Sequence, residues 1–188
     1  MSPRKISPFV IIIGILLVGG LWMWSSYNSL ITSRESVNAS WAQVETQYQR
    51  RFDLVPNLVS TVKGAAAFEQ DTLLGVTEAR TKWLEAPNRS GKIEAATGFE
   101  SAFSRLLVSV EQYPELTATQ AYRDLMTQLE GTENRIATAR RDYNEVVRSY
   151  NLDVKRFPGN LIANVFGFAE ETFFGSTEGS DEAPSVEF

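Results

Sequence analysis

The chain contains no cysteine and no histidine. These two absences exclude disulfides, thiolate nucleophiles, zinc-finger sites, Ser/His/Asp triads and histidine-ligated metals, and most familiar catalytic chemistry goes with them. Basic side chains are in the minority: 18 Lys and Arg stand against 23 Asp and Glu, a net charge of -5, which argues against sequence-wide attraction to nucleic acid. Strand signals are nearly missing too, since no sustained alternation is bounded by Asn-Gly or Asp-Gly turns. What remains is 188 residues, 43% apolar and 22% charged, the length of one domain plus an anchor and enough to build a core.

The longest uncharged apolar run is Ile6 to Trp24, 19 residues that would cover about 28 Å as a helix, close to the hydrocarbon thickness of a bilayer. No ionisable side chain other than Tyr27 occurs between Lys5 and Arg34, and Trp22, Trp24 and Tyr27 lie where an aromatic belt meets the headgroups. A cleaved signal peptide is the rival reading, with Arg4 and Lys5 as its basic start and Val18-Gly19-Gly20 as a weak cleavage site. The run continues past Gly20 through Leu-Trp-Met-Trp, which suits an uncleaved anchor better. Arg4 and Lys5 put the amino terminus in the cytoplasm by the positive-inside rule, so the rest is expected to be extracytoplasmic on a single-pass inner-membrane protein.

Beyond the anchor, Tyr27, Leu30, Val37, Trp41, Val44, Tyr48 and Val55 recur with helical spacing, and Arg34 and Arg51 fill the remaining places. With no Gly or Pro intervening, anchor and first helix read as one rod. Pro56 predicts a turn, with a kink in a longer helix as the alternative, because Leu58 to Trp83 carry similar spacing onward. Pro87 to Gly91 reads as a loop, a third helix follows with Phe99, Phe103, Leu106 or Leu107, Val110 and Tyr113 as its apolar face, and Pro114 stops it. The fourth helix has a heptad seam of Tyr122, Leu125, Leu129, Thr132, Ile136, Ala139, Tyr143, Val146, Tyr150 and Val154, and ends near Phe157-Pro158-Gly159. The expected fold is all-α: an N-terminal transmembrane helix, then an antiparallel up-and-down four-helix bundle. The divisions are an anchor over 1–26, a helical body over 27–174 and an acidic disordered tail over 175–188, which carries four of the excess negative charges.

In an up-and-down bundle the fourth helix returns to the membrane, where Asn160 to Phe168 with Phe173 and Phe174 form an aromatic-rich segment. Its rings, Phe166 and Phe168 among them, either cap the core or lie on the lipid interface. The polar middle of the fourth helix puts Glu133, Arg140 and Asn144 on one face, opposite which Glu45, Arg50, Arg51 and Asp53 could lie. Paired carboxylates can support acid/base chemistry or bind a metal, but the di-iron pattern of helical bundles needs histidine, so interhelical ion pairs are the expected role. Asn38 and Asn88 head glycosylation sequons by pattern only.

Several blocks resemble one family throughout. They are Tyr27-Asn-Ser-Leu30, Trp41-Ala-Gln-Val-Glu45, Gln49-Arg-Arg-Phe-Asp-Leu-Val-Pro-Asn-Leu58, Thr61-Val-Lys-Gly64, Glu111-Gln-Tyr-Pro-Glu-Leu116, Leu129-Glu-Gly-Thr-Glu-Asn-Arg-Ile136 and Ala139-Arg-Arg-Asp-Tyr-Asn144, with the closing Pro-x-Val-x-Phe. The chain is similar in these to the LemA family of bacteria, departing from many members at Ala65-Ala66-Ala67-Phe68, where a histidine-containing run is common. The resemblance implies a helical bundle on a single membrane anchor, and no reaction, cofactor or catalytic position. The expected function is a non-enzymatic membrane-anchored interaction or scaffolding module, with lipid around residues 6–24, an unidentified membrane or envelope protein as partner, and homo-oligomers as a further possibility. The rival is a membrane-shaping or lipid-sensing protein using 160–174, and an enzyme built on Glu133 and Arg140 is third.

Overall fold

The computed structural model of the chain describes residues 8–63 and 70–175. Among the described residues there are six helices and no strand: α1 (Pro8–Lys63), α2 (Gln70–Glu85), α3 (Arg89–Val110), α4 (Pro114–Thr117), α5 (Gln120–Lys155) and α6 (Gly159–Phe166). The protein is therefore all-α. It divides into two compact units, Met1–Trp41 with Tyr143–Glu171, and Ala42–Asp142 with Thr172–Phe188. The 16-residue α2 and 22-residue α3 belong wholly to the second unit, whereas α1 and α5, 56 and 36 residues long, contribute to both.

Helix α1 contains one stretch long and apolar enough to cross a membrane, and none of that stretch is buried by protein. Phe9, Ile15, Leu16, Leu17, Val18, Leu21 and Trp24 all lie open, on every side of the helix. From Leu30 onward the same helix is one-sided: Leu30, Val37, Trp41, Val44, Tyr48, Val55, Leu58 and Val62 are buried. Phe52, which the spacing did not single out, is fully buried beside them.

The turn expected at Pro56 is absent, and α1 continues through it to Lys63. Proline inside a helix removes the bond its N–H would give to Phe52 and crowds that carbonyl, a cost of about 3 kcal/mol. Pro56 itself is exposed, while Phe52, Val55, Leu58 and Val62 around it are buried. Burying each such side chain contributes roughly 1.5–3 kcal/mol, so packing outweighs the proline. Asp53, one turn before the proline, accepts a bond from Gln49 Nε2 at 2.7 Å. The Ala65–Phe68 stretch and the basic pair Arg4 and Lys5 lie outside the described residues, as does the tail beyond Gly175.

The loop before α3 is shorter than Pro87 to Gly91, because Asn88 is the N-cap and its Oδ1 accepts from Gly91 N at 2.8 Å. That bond occupies the side chain of the second sequon, and Asn38 of the first lies inside α1. Pro114 follows the end of α3 and opens the single turn of α4, where a missing N–H costs nothing. The seam of α5 is buried as expected except at one place: Val147 is fully buried where Val146 was expected, and Val146 is only half-buried.

The chain leaves α6 through Gly167, whose φ of 73° is left-handed, and Phe168 N bonds back to Ala163 O at 2.9 Å. The following segment is held by buried Asn151, which donates to Glu171 O and accepts from Glu171 N, both at 2.9 Å. Tyr150 Oη adds a bond to Ala169 O at 3.0 Å, and Lys155 pairs with Glu170 at 2.7 Å.

At Gly159 a Cβ would collide with the Asp153 carbonyl oxygen, whereas at Gly98 it would meet nothing within 4 Å. Gly159→Ala is expected to cost ~1–2 kcal/mol, and Gly98→Ala to be neutral or stabilising by up to ~1 kcal/mol. Thermal unfolding of the detergent-solubilised chain, followed by far-UV circular dichroism, checks this, and equal shifts for the two would contradict it.

Candidate functional site

In the second unit the helices are joined by charge pairs that lie against aromatic rings. Arg51 of α1 is 4% exposed, yet it is a cation in an apolar stripe. Its guanidinium lies 4.5 Å from the Phe103 ring centroid and 5.4 Å from that of Phe99, both on α3. The ring faces attract the cation where water is excluded. Arg51 Nη1 also lies 2.5 Å from Glu133 Oε2 on α5, a charge contact that lacks hydrogen-bond alignment, and Nε has no hydrogen-bond partner among the described residues.

Arg140 of α5 repeats the arrangement. Its Nη1 donates to Glu100 Oε1 at 2.8 Å, its guanidinium lies 4.9 Å from the Phe174 centroid, and Nη2 donates to Gly175 O at 3.3 Å. The same Glu100 oxygen accepts from Tyr48 Oη at 2.9 Å, so α1, α3 and α5 meet on one carboxylate. Burial, and then the Glu100 charge, push the Tyr48 phenol well above its ordinary range, which keeps it a donor. Lys92 completes the set, with Nζ 2.5 Å from Glu45 Oε1 and 4.6 Å from the Trp83 centroid.

Beside Arg51 is a cavity of about 470 Å³ lined by Thr97, Glu100, Ser101, Phe103, Met126, Glu130 and Glu133, among others. Arg50 and Asp53 line a separate groove with Arg135 and Thr132. Among the described residues no three Asp or Glu side chains come close enough together to hold a metal ion.

The structure thus brings Arg51 to Glu133, as the sequence placed them, but separates the other anticipated groups. Glu45 pairs with α3 rather than α5, Arg140 engages Glu100, Arg50 and Asp53 are exposed, and Asn144 falls half-buried in the first unit. Glu100, Lys92 and Tyr48 were not anticipated as polar partners. Tyr48 lies on the apolar stripe, and nothing local reveals that its hydroxyl meets a carboxylate 52 residues away.

In the first unit, the two anticipated phenylalanines have different surroundings. Phe168 is buried, with Tyr27 at 5.8 Å and the Arg34 guanidinium 5.2 Å from its centroid. Phe166 also meets Tyr27, at 4.8 Å, but remains half exposed.

A family model described as the LemA family matches residues 40–188. Relatives include Magnetosome protein MamQ 2 of Paramagnetospirillum magneticum, 30% identical over 182 residues that make up 82% of this chain and 66% of that protein. Magnetosome protein MamQ of Magnetospirillum gryphiswaldense is 28% identical over the same shares, so the chain spans just under two-thirds of the length of these relatives. Protein LemA of Metamycoplasma hominis is 22% identical over 94% of this chain and 82% of its own.

Two predictions follow from the charge pairs. Removing the stacked guanidinium with Arg51→Ala is expected to cost ~2–4 kcal/mol, while Arg51→Met, which refills the space, costs under ~1.5 kcal/mol. Glu133→Gln costs under ~1 kcal/mol because Glu133 is half exposed. Denaturant melts of the three variants check the ranking. Tyr48, Tyr122 and Tyr150 all have raised phenol pKa values, mainly from burial. The unfolded phenols release protons near pH ~10 while the folded ones hold them, so stability is complete below that pH and falls as pH rises above it. Tyr48→Phe is expected to flatten that fall in alkaline melts, and an unchanged slope would contradict the assignment.

Proposed function

The chain belongs to the LemA family, and from that premise we propose that it is a non-enzymatic interaction module of the membrane, with its amino terminus in the cytoplasm. It is a membrane-associated helical protein. The observation that carries the proposal is that α1 runs without interruption from an apolar stretch exposed on every side into a helix buried along one stripe. Apolar run and buried stripe thus belong to one helix, with no Gly- or Ser-rich linker between them.

The polar interior supports a role without chemistry. Glu100, Glu133 and Glu45 are each committed to a cation from another helix, and these cations are in turn committed to aromatic rings. Groups engaged in this way hold helices together rather than waiting for a substrate. Exposed α5 positions such as Arg141 and Arg148 are the face offered to an envelope protein or a second copy.

Photo-cross-linkers placed at Arg141 and at Arg148 in living cells, with adducts identified by mass spectrometry, test this. Adducts to one defined protein, or to a second copy, are expected. Absence of protein adducts at both positions, together with a strictly monomeric purified chain, would remove the interaction reading.

A further inference from the structure

We propose that α6 and the residues before it make a second contact with the membrane that α1 enters, lying in the headgroup region of that bilayer. Within the ten residues 157–166, Phe157 is 79% exposed, Leu161 52%, Val165 74% and Phe166 50%. Water-facing surfaces tolerate single apolar residues but seldom a cluster of large ones, which marks an interaction site. The cluster is not a missing part of the core. Helix α6 already buries Ile162 and Ala163, and Gly167 turns the chain so that Phe168 goes inward while Phe166 stays outside.

The occupant is identified by what adjoins the cluster. Phe166 packs against Tyr27, which lies one helical turn beyond Trp24, the last residue of the exposed apolar run of α1. The exposed surface of α6 therefore borders the place where α1 leaves the hydrocarbon, and a bilayer surrounding Phe9–Trp24 already lies at its edge. Charge agrees with a lipid surface: Arg156 is exposed next to Phe157, the nearby Glu170 is paired with Lys155, and Asp153 is engaged by Ser33 at 2.9 Å. Aromatic and aliphatic side chains flanked by an unpaired cation match the boundary between headgroups and acyl chains. Because α1 holds α6 at the surface, even a weak interfacial affinity suffices, since the second contact is intramolecular. The inference rests on α1 being inserted, and the test reports on that separately.

The chain has no cysteine, so a single introduced cysteine labels one site. Full-length Val165→Cys, Leu161→Cys, Leu17→Cys and Glu145→Cys, each carrying bimane, would be reconstituted in phosphatidylethanolamine/phosphatidylglycerol vesicles. Each would be exposed to lipids carrying a nitroxide in the upper acyl chain and, separately, to aqueous iodide. Labels at 165 and 161 are expected to be quenched by the lipid nitroxide at least twofold more than at exposed Glu145, and to be shielded from iodide. Quenching at 17 but iodide access at 165 and 161 equal to that at 145 would overturn this proposal and leave the tether standing. Shielding of 165 and 161 from both quenchers would assign the cluster to a protein contact and overturn it as well. Lack of lipid quenching at 17 would overturn the tether and the proposal together. Both labelled positions on α6 are exposed, and unchanged helicity by circular dichroism checks that the labelled chains are folded.

Discussion

A single helix, α1, exposed on every side along one part and buried along one stripe in the next, is what the rest of the structure packs on. A backbone crossing hydrocarbon has no water for its N–H and C=O groups, and helical bonding within the segment meets that demand. The same internal bonding serves equally well when one side of the helix is covered by protein. Helix α1 can therefore change environment without changing conformation, and only its side chains record where the change occurs. Before Trp24 apolar groups surround it; after Leu30 they keep to one stripe.

Covering that stripe leaves a difficulty at Arg51, which occupies a place that spacing assigns to an apolar residue. The fold resolves it by stacking the guanidinium on Phe99 and Phe103; Arg34, which stays exposed, lies over Phe168 in the same way. Arg140 over Phe174 repeats the solution on α5. A planar, weakly hydrated cation suits a ring face, and its edge remains free for a carboxylate. Lysine at position 51 would bring a compact, strongly hydrated ammonium into the same buried space. The stacked cation also explains how the largely covered Glu100 is accommodated, since it meets Arg140, whose guanidinium lies on the Phe174 ring.

Much of this was legible in the sequence: the all-α class, the apolar run, the stripe of α1 and the seam and end of α5. The errors have physical causes. A strict heptad drifts by about 20° per repeat on a straight helix, so over three heptads, from Tyr122 to Tyr143, the seam moves by about 60°. That is more than half of the roughly 100° between neighbouring residues, and a step of four instead of three restores the register. The buried residue is accordingly Val147 and not Val146. Of the two expectations at Pro56 the continuing helix holds rather than the turn, because the packing of Phe52, Leu58 and Val62 outweighs local propensity. Glu100 was invisible because its meaning depends on Tyr48 and Arg140, brought to it from other helices.

The aromatic segment after α5 had two competing readings, core or membrane interface, and the structure divides them by residue. Gly167 decides the division. In the left-handed conformation it reverses the chain at the end of α6, so residues on either side of it face different surroundings. Phe168 enters the protein between Tyr27 and Arg34, and the segment beyond it is fastened by the Asn151 side chain. Those bonds fix α6 from its far end, so the exposure of Val165 and Phe166 is imposed by the fold rather than left by fraying. A left-handed glycine and a buried asparagine thus hold apolar side chains outward, beside Tyr27 and the exposed apolar run of α1.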